Sequence, residues 1–324
     1  MKTNIIINDD CLKALKKLPE ESIDCIITSP PYYGLRDYGV KGQIGLEKTF
    51  EEYIDKMLAI TAELKRVLKK TGTLWLNHGD SYNGNKIGKT DKKVSDIPVK
   101  SLMMQNYRLA IAMVDQQQWI LRNVLIWYKP NCMPSSVKDR FTVDYEPIFF
   151  FSKNKNYYFE PQFETLSPYS IPQKDPDKKT TNYDKISPTY KRAGGGSFIN
   201  PNGMGRNKRC VWKIPTQPFS EAHFAVFPEK LIETPIKASC PEFICTKCGV
   251  AREKIWEKIG GPPRGSHHKN FDIRKNPQGR PDTDTKVYGS DLSQIYAKYG
   301  YPELKEKGMT DCNCNAPFKQ GIVL

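Results

Sequence analysis

The chain has 324 residues, 38% hydrophobic and 11% aromatic, enough for one large domain or two small ones around a packed core. Its 50 Lys and Arg outnumber 36 Asp and Glu, and the net charge of +14 suits a polyanionic partner and adds a salt-sensitive binding term. No apolar run approaches the roughly 20 residues that span a bilayer, and nine scattered cysteines do not make a disulfide scaffold. Met1-Lys2-Thr3-Asn4 before a short Ile run lacks the apolar region of a secretory signal. A cytoplasmic protein is expected.

In chain order, Ile5-Ile6-Ile7 reads as a first strand, and Asp9-Asp10 as the N-cap of a helix through Lys13 to Leu18. Ile23 to Thr28 reads as a buried parallel strand that stops abruptly at Ser29-Pro30-Pro31-Tyr32. Ligands of open α/β sheets bind just beyond the carboxyl ends of strands. A hydroxyl, two prolines and an aromatic ring are therefore delivered where chemistry is usually done. Proline lacks an N–H, which leaves nearby carbonyls free to accept from a ligand. In the helix expected over 50–70, Tyr53, Met57, Ile60, Leu64 and Leu68 fall three or four apart and form one sheet-facing stripe. Strands over 73–77, 120–128 and 147–151 and a helix over 101–117 complete an alternation that predicts a mainly parallel, doubly wound α/β sheet.

Composition then changes. From Lys153 to Lys213, twelve Lys and Arg stand against five Asp and Glu, among many Tyr, Asn, Gly and Pro. Cations interleaved with aromatics fit nucleic-acid contact, and Lys191, Arg192, Arg206, Lys208 and Arg209, with Arg36 earlier in the chain, are the candidate nucleic-acid-binding residues. A second insertion, over roughly 250–311, is bounded by Cys245-Thr-Lys-Cys248 and Cys312-Asn-Cys314. Four thiolates can hold Zn²⁺ tetrahedrally and staple the base of such an excursion. His267 and His268 offer substitute ligands, and four free thiols are the alternative reading.

These residues resemble the amino-methylating DNA methyltransferases, which modify the exocyclic nitrogen of cytosine or adenine. The resemblance rests on Asn8-Asp9-Asp10-Cys11-Leu12, on Thr28-Ser29-Pro30-Pro31-Tyr32-Tyr33-Gly34, on Gly72-Thr73-Leu74-Trp75-Leu76-Asn77 and on Asn123 to Pro130. Asp139-Arg140-Phe141, Tyr145 to Lys153 and His223 to Leu231 follow in the family's order. With the catalytic motif first, that order looks like the family's permuted β arrangement on a Rossmann-like methyltransferase sheet. It implies a catalytic core over 1–152, a target-recognition region over 153–220, a return to the core over 221–244, the Cys-bounded insertion over 245–314 and the start of a cofactor-binding strand over 315–324.

By that likeness the cofactor is S-adenosyl-L-methionine. Asp9, Asp10 and Cys11 would lie beside its adenine, Thr28 and the Phe227-Pro228 segment would line its site, and Ser29-Pro30-Pro31 would lie beneath its methionine portion. Ser29 and Pro30 would accept from the target amino group, with Pro31 shaping the loop. Tyr32 would stack on a base rotated out of the duplex, and Tyr145 is the candidate for the opposite face. In the family Ser-Pro-Pro-Tyr accompanies mostly N4-cytosine methylation, so N4-cytosine is implied and N6-adenine is the alternative. Implied partners are double-stranded DNA and a cognate restriction endonuclease, with dimerisation by family likeness alone. The family's Asp-Pro-Phe-x-Gly-Ser-Gly loop is expected after a strand such as Gly321-Ile322-Val323-Leu324, and no such loop is in the sequence. A fragment, a split enzyme completed by a second polypeptide, or an inactive remnant would each fit. The reading of a different class is a non-catalytic DNA-binding module with a zinc knuckle.

Overall fold

The computed structural model describes residues 2–84, 96–164, 206–219, 226–259 and 303–324. In order these carry α1 (Cys11–Lys17), β1 (Ile23–Thr28), α2 (Phe50–Val67), β2 (Leu68–Asn77), α3 (Gln105–Gln117), β3 (Ile120–Tyr128), β4 (Tyr145–Ser152), β5 (Phe163–Glu164) and β6 (Arg206–Asn207). β7 (Val211–Lys213), α4 (Glu229–Ser239), β8 (Ile244–Cys245), β9 (Lys254–Ile259), β10 (Glu303–Met309) and β11 (Phe318–Lys319) follow. Among the described residues no helix is long and apolar enough to cross a membrane.

The chain divides into two units. The first comprises Met1–Gln162, Arg209–Arg252 and Asp311–Leu324, and the second Phe163–Lys208 and Glu253–Thr310. In the second, β5 pairs antiparallel with β6, and β9 antiparallel with β10 across a register shift at Glu306/Gly308.

The first unit is built on a five-stranded sheet in the order β1-β2-β4-β3-β7. β1 and β2 are parallel, β3 and β7 are parallel, and β4 is antiparallel to both β2 and β3. The expected parallel sheet is therefore mixed. The segment between β3 and β4 forms no helix that would carry the chain across a sheet face, so it returns beside β3 in the opposite sense. On the free side of β1, residues 322–324 run parallel to it: the Ile27 N–H donates to the Leu324 carbonyl and the Leu324 N–H to Cys25, both at 2.9 Å.

Helices cover both faces, as a doubly wound sheet requires. On one face Tyr53, Met57 and Leu64 of α2 and Leu109 and Met113 of α3 pack against Ile26, Leu74, Leu76, Phe149 and Phe151. On the other, Leu231 and Ala238 of α4 join Trp75, Ile148, Phe150 and Trp212. Successive residues of a strand point to opposite faces, so the unbroken apolar run Ile148–Phe151 fills two cores at once.

Two further expectations are corrected. Ile5–Ile7 is not a strand, and Ile6 is 98% exposed. β-Branched residues favour a pleated surface only where a neighbouring strand offers one, and residues 322–324 already occupy the free edge of β1. The helix expected to reach residue 70 ends at Val67, and Leu68 passes directly into β2. There Lys69 Nζ lies 2.8 Å from both carboxylate oxygens of buried Asp24. Asp24 also accepts from the Ile322 N–H at 2.9 Å, so its charge is fully partnered.

Removing one member of a buried pair strands the other charge. Lys69→Met is expected to lower the unfolding free energy by roughly 3–5 kcal/mol, whereas Ile6→Ser should stay within about 0.5 kcal/mol. Urea titrations followed by circular dichroism measure both.

Candidate active site

Thr28 ends β1, and the next residues leave the sheet at its carboxyl edge. Other parts of the unit hold several polar groups of this loop. The Tyr53 hydroxyl of α2 donates to the Pro31 carbonyl at 3.0 Å. The Tyr33 N–H donates to Gln105 Oε1 of α3 at 2.7 Å, and Ser81 Oγ donates to the Tyr33 carbonyl at 3.0 Å. The Gly34 N–H reaches the Gly45 carbonyl at 2.9 Å. Among the described residues the Pro30 carbonyl has no partner.

Tyr32 is tied separately. Its hydroxyl donates to Glu146 Oε2 at 3.0 Å. Glu146 Oε1 in turn lies 2.5 Å from Lys129 Nζ, which sits 4.2 Å from the centre of the Trp127 ring. Burial pushes the Tyr32 phenol far above its ordinary value, and the Glu146 charge pushes it the same way, while the Ser29 side chain acts in the opposite sense. The phenol therefore stays protonated and can keep donating. Its ring lies 4.9 Å from the His78 ring at a 31° tilt. The approach to the strand end is close: a Cβ on Gly79 would come within 2.7 Å of Tyr32 Cε2, so only glycine fits beneath the ring.

His78, just past the carboxyl end of β2, is completely buried. Its Nδ1 lies 2.8 Å from the Gly79 carbonyl, which can only accept, so Nδ1 carries the proton. Nε2, 2.8 Å from Tyr53 Oη, is then an acceptor. The Tyr53 proton is shared between His78 and the Pro31 carbonyl. Burial lowers the His78 pKa to about 4, which keeps this arrangement neutral. Asp80 closes the strand end by accepting from the Met104 and Gln105 N–H groups at the start of α3, at 2.9 and 3.3 Å.

Beside the loop, Thr28 and Phe227 share a narrow apolar cleft with Ile27, Asn77, Ile148 and Leu231. Pro228 stands at the N-cap of α4. Asp10 caps α1, accepting from the Lys13 N–H at 3.0 Å, and Asp9 pairs with Lys17 at 2.6 Å. Both carboxylates already have partners, and Cys11 begins the helix that Asp10 caps.

Tyr145 opens β4 opposite Tyr128, with its ring largely exposed. Arg36 is half-buried in the loop that continues from Tyr32, where Gln43 bridges the Arg36 carbonyl and the Tyr38 N–H. Lys208 and Arg209 are exposed, and Arg206 begins β6. Lys191, Arg192, His223, His267 and His268 lie outside the described residues. The four cysteines at 245, 248, 312 and 314 converge, their Sγ atoms all within 4.8 Å of one another. Hydrogen bonds from the Cys248 and Lys247 N–H groups pull the Cys245 thiol down to about 6.

The N6/N4 methyltransferase family model, described as DNA methylase, matches residues 23–243, more than half of the chain. The chain belongs to the N6/N4 DNA methylase family. It is 39% identical over 253 residues to the type II methyltransferase M.XycI of Xanthomonas campestris pv. cyanopsidis, covering 74% of this chain and 73% of that one. To M.Cfr9I of Citrobacter freundii it is 37% identical over 248 residues, 72% of each. A solved PvuII DNA methyltransferase, titled cytosine-N4-specific, superposes at 20% identity and a TM-score of 0.47 over 71% of this chain and 68% of that one.

The motif loop of this DNA methylase depends on residues that sequence reasoning passed over. Tyr53 looks like one more member of an apolar stripe, yet its hydroxyl reaches Pro31. Glu146 stands inside a recognised segment, yet only the fold brings it to Tyr32, 114 positions away. His78 carried a legible signal, because the carboxyl-end rule that singles out Ser29 after β1 applies equally after β2.

The His78 shift has a consequence for stability. Unfolding restores an ordinary pKa of about 6.5, so between the two values the unfolded chain binds the extra proton. This contribution is complete above about pH 6.5 and is lost as the pH falls towards 4, up to about 3 kcal/mol. His78→Gln removes the titration, so its loss of stability between about pH 7 and about pH 4.5 should be smaller than in the parent chain by about 2 kcal/mol. Urea unfolding at the two pH values makes the comparison.

Proposed function

We propose that this DNA methylase transfers a methyl group from S-adenosylmethionine to the exocyclic N4 of a cytosine rotated out of duplex DNA, as the modification enzyme of a type II restriction-modification system. The observation that carries the proposal is the pairing pattern of the motif loop. The carbonyls of Pro31 and Tyr33 are engaged within the protein, while the Pro30 carbonyl, next to the Ser29 hydroxyl, has no partner among the described residues.

An exocyclic amino group is a poor nucleophile because its lone pair is delocalised into the ring. Acceptors facing its two N–H bonds favour a more tetrahedral nitrogen with the lone pair directed away from the ring. Ser29 Oγ and the Pro30 carbonyl are such acceptors. They are held in place beforehand by the Tyr53, Gln105 and Ser81 bonds to the rest of the loop, so little reorganisation remains for the reaction itself. Tyr32 offers its ring to the displaced base, which cannot be reached inside the helix. Its tie to Glu146 fixes that ring at one edge.

S-Adenosylmethionine supplies a methyl group activated by its sulfonium. The cleft with Thr28 and Phe227 lies at the carboxyl end of β1 with apolar walls, but its space of about 10 Å³ is that of one water, so it does not admit an adenine without opening. Asp9 and Asp10 fit less directly, because both already serve α1.

The choice of cytosine rests on Ser29. A neutral hydroxyl pulls less strongly than the aspartate of most adenine-specific relatives, and Ser-Pro-Pro-Tyr accompanies N4-cytosine enzymes in the family. N6-adenine is the second reading. Double-stranded DNA fits the charge of +14 and the exposed Lys208 and Arg209, and a cognate restriction endonuclease would read the same site unmethylated.

The test is transfer of labelled methyl to mixed genomic DNA, followed by digestion to nucleosides. N4-methylcytosine is expected, and Ser29→Ala should reduce the single-turnover rate by roughly 10²–10³. N6-methyladenine as the sole product would move the assignment to the second reading, and an unchanged rate in Ser29→Ala would remove Ser29 from the chemistry.

A further inference from the structure

We propose that Cys245, Cys248, Cys312 and Cys314 bind one structural Zn²⁺, and that the ion clamps residues 315–324 to β8 and through them to the free edge of β1. All four residues belong to the first unit, together with β1.

The donor set favours zinc. Four thiols and no carboxylate make a soft, sulfur-only group, which selects Zn²⁺ over Mg²⁺ or Ca²⁺. Tetrahedral Zn–S bonds of about 2.3 Å place the sulfurs about 3.8 Å apart. The observed span of 4.8 Å needs only a small contraction to reach that geometry.

The backbone is shaped for this purpose. Cys245 to Gly249 fold into a tight turn closed by the Gly249 N–H on the Cys245 carbonyl at 3.0 Å. Gly249 has φ +72°, which L side chains rarely adopt. Around the second pair, Asn313 and Asn315 take φ of 55° and 50°, the left-handed region that Asn tolerates better than most residues. These two reversals curl the short Cys-Asn-Cys segment.

Apolar burial anchors Cys245 beside Ile244 but does not reach the other three cysteines. Residues 246–250 are exposed, and 311–319 are exposed or half-buried. All four cysteines are free thiols. Such a cluster on a thin polar shell needs something else to hold it, and a metal is the usual device where a core is too small.

The clamp follows from what adjoins the cluster. β8 and β11 pair over only two residues each, Cys245 with Phe318 and Ile244 with Lys319, too little for a stable ladder alone. The Thr246 N–H and hydroxyl both donate to the Pro317 carbonyl, at 3.0 and 2.8 Å. Beyond β11 the Gly321 N–H reaches the Pro241 carbonyl at 3.0 Å, and residues 322–324 then align with β1. An ion at the cysteines therefore fixes one end of a segment whose other end lies along β1, the strand that delivers Ser29. Four protein ligands leave no open coordination position, so the role is structural.

The test uses the full chain and is independent of methyl transfer. Elemental analysis of the purified protein should find about one zinc per chain. Cobalt(II) exchange should give the visible absorption of a tetrahedral thiolate site. Cys312→Ser with Cys314→Ser should lose both signals, and Cys132→Ser should keep them. Hydrogen exchange by mass spectrometry then compares the protein before and after chelation. Peptides covering 21–28 and 318–324 should exchange roughly tenfold faster without metal, while α2 is unchanged, which shows that the fold persists. Absence of zinc together with absence of a cobalt spectrum would overturn the site. Retention of metal by the double variant would overturn the ligand assignment, and bound zinc with unaltered exchange at 318–324 would overturn the clamp.

Discussion

The loop after β1 is held by hydrogen bonds to the rest of its unit, and the partners come from four places. Tyr53 belongs to α2, Gln105 to α3, Glu146 to β4 and Ser81 to the segment after β2. Two prolines remove donors that would otherwise draw this segment into a regular ladder. A short stretch with few internal bonds would be mobile if left to itself. Ties to separate parts of one packed unit hold it in place and leave the Pro30 carbonyl without a partner among the described residues. Much of the surrounding architecture is arranged around that need, including the glycine at 79 that admits the Tyr32 ring.

Electrostatics reinforce the same geometry. Glu146, the acceptor of the Tyr32 hydroxyl, is ion-paired with Lys129 at a half-buried position. Asp24 and Lys69 pair at the opposite end of β1. His78 takes the other course: with no countercharge in contact, it stays neutral and serves as an acceptor for Tyr53. The Glu146 charge is paired, Asp80 accepts from backbone N–H groups and the imidazole is uncharged, which is how buried polar groups avoid a large desolvation cost.

Much of this was legible in the sequence. Strands 23–28 and 120–128, the helix stripe beginning at Tyr53 and the abrupt stop at Ser29 follow from apolar periodicity and from proline. The reversal of β4 was not legible, because its aromatic run is apolar on both faces and carries no directional signal. Ile5–Ile7 was misread since strand propensity says nothing about whether an edge is free. The partners of Tyr32 and Pro31 were hidden for a related reason. A tyrosine in an apolar stripe and a glutamate in a strand show their roles only when distant segments meet. The cysteine pairs were legible by spacing, although the structure joins them to the unit that contains β1 rather than to the insertion they bracket.

The account turns on the claim that the bonds around the motif loop position the target base. Tyr32→Phe tests it most directly, since it keeps the ring and deletes only the hydroxyl that reaches Glu146. A hydrogen bond to a charged partner contributes about 1.5–3 kcal/mol, so single-turnover methyl transfer should slow by roughly 10- to 100-fold with DNA affinity unchanged. A variant that transfers methyl at the parent rate would contradict the claim.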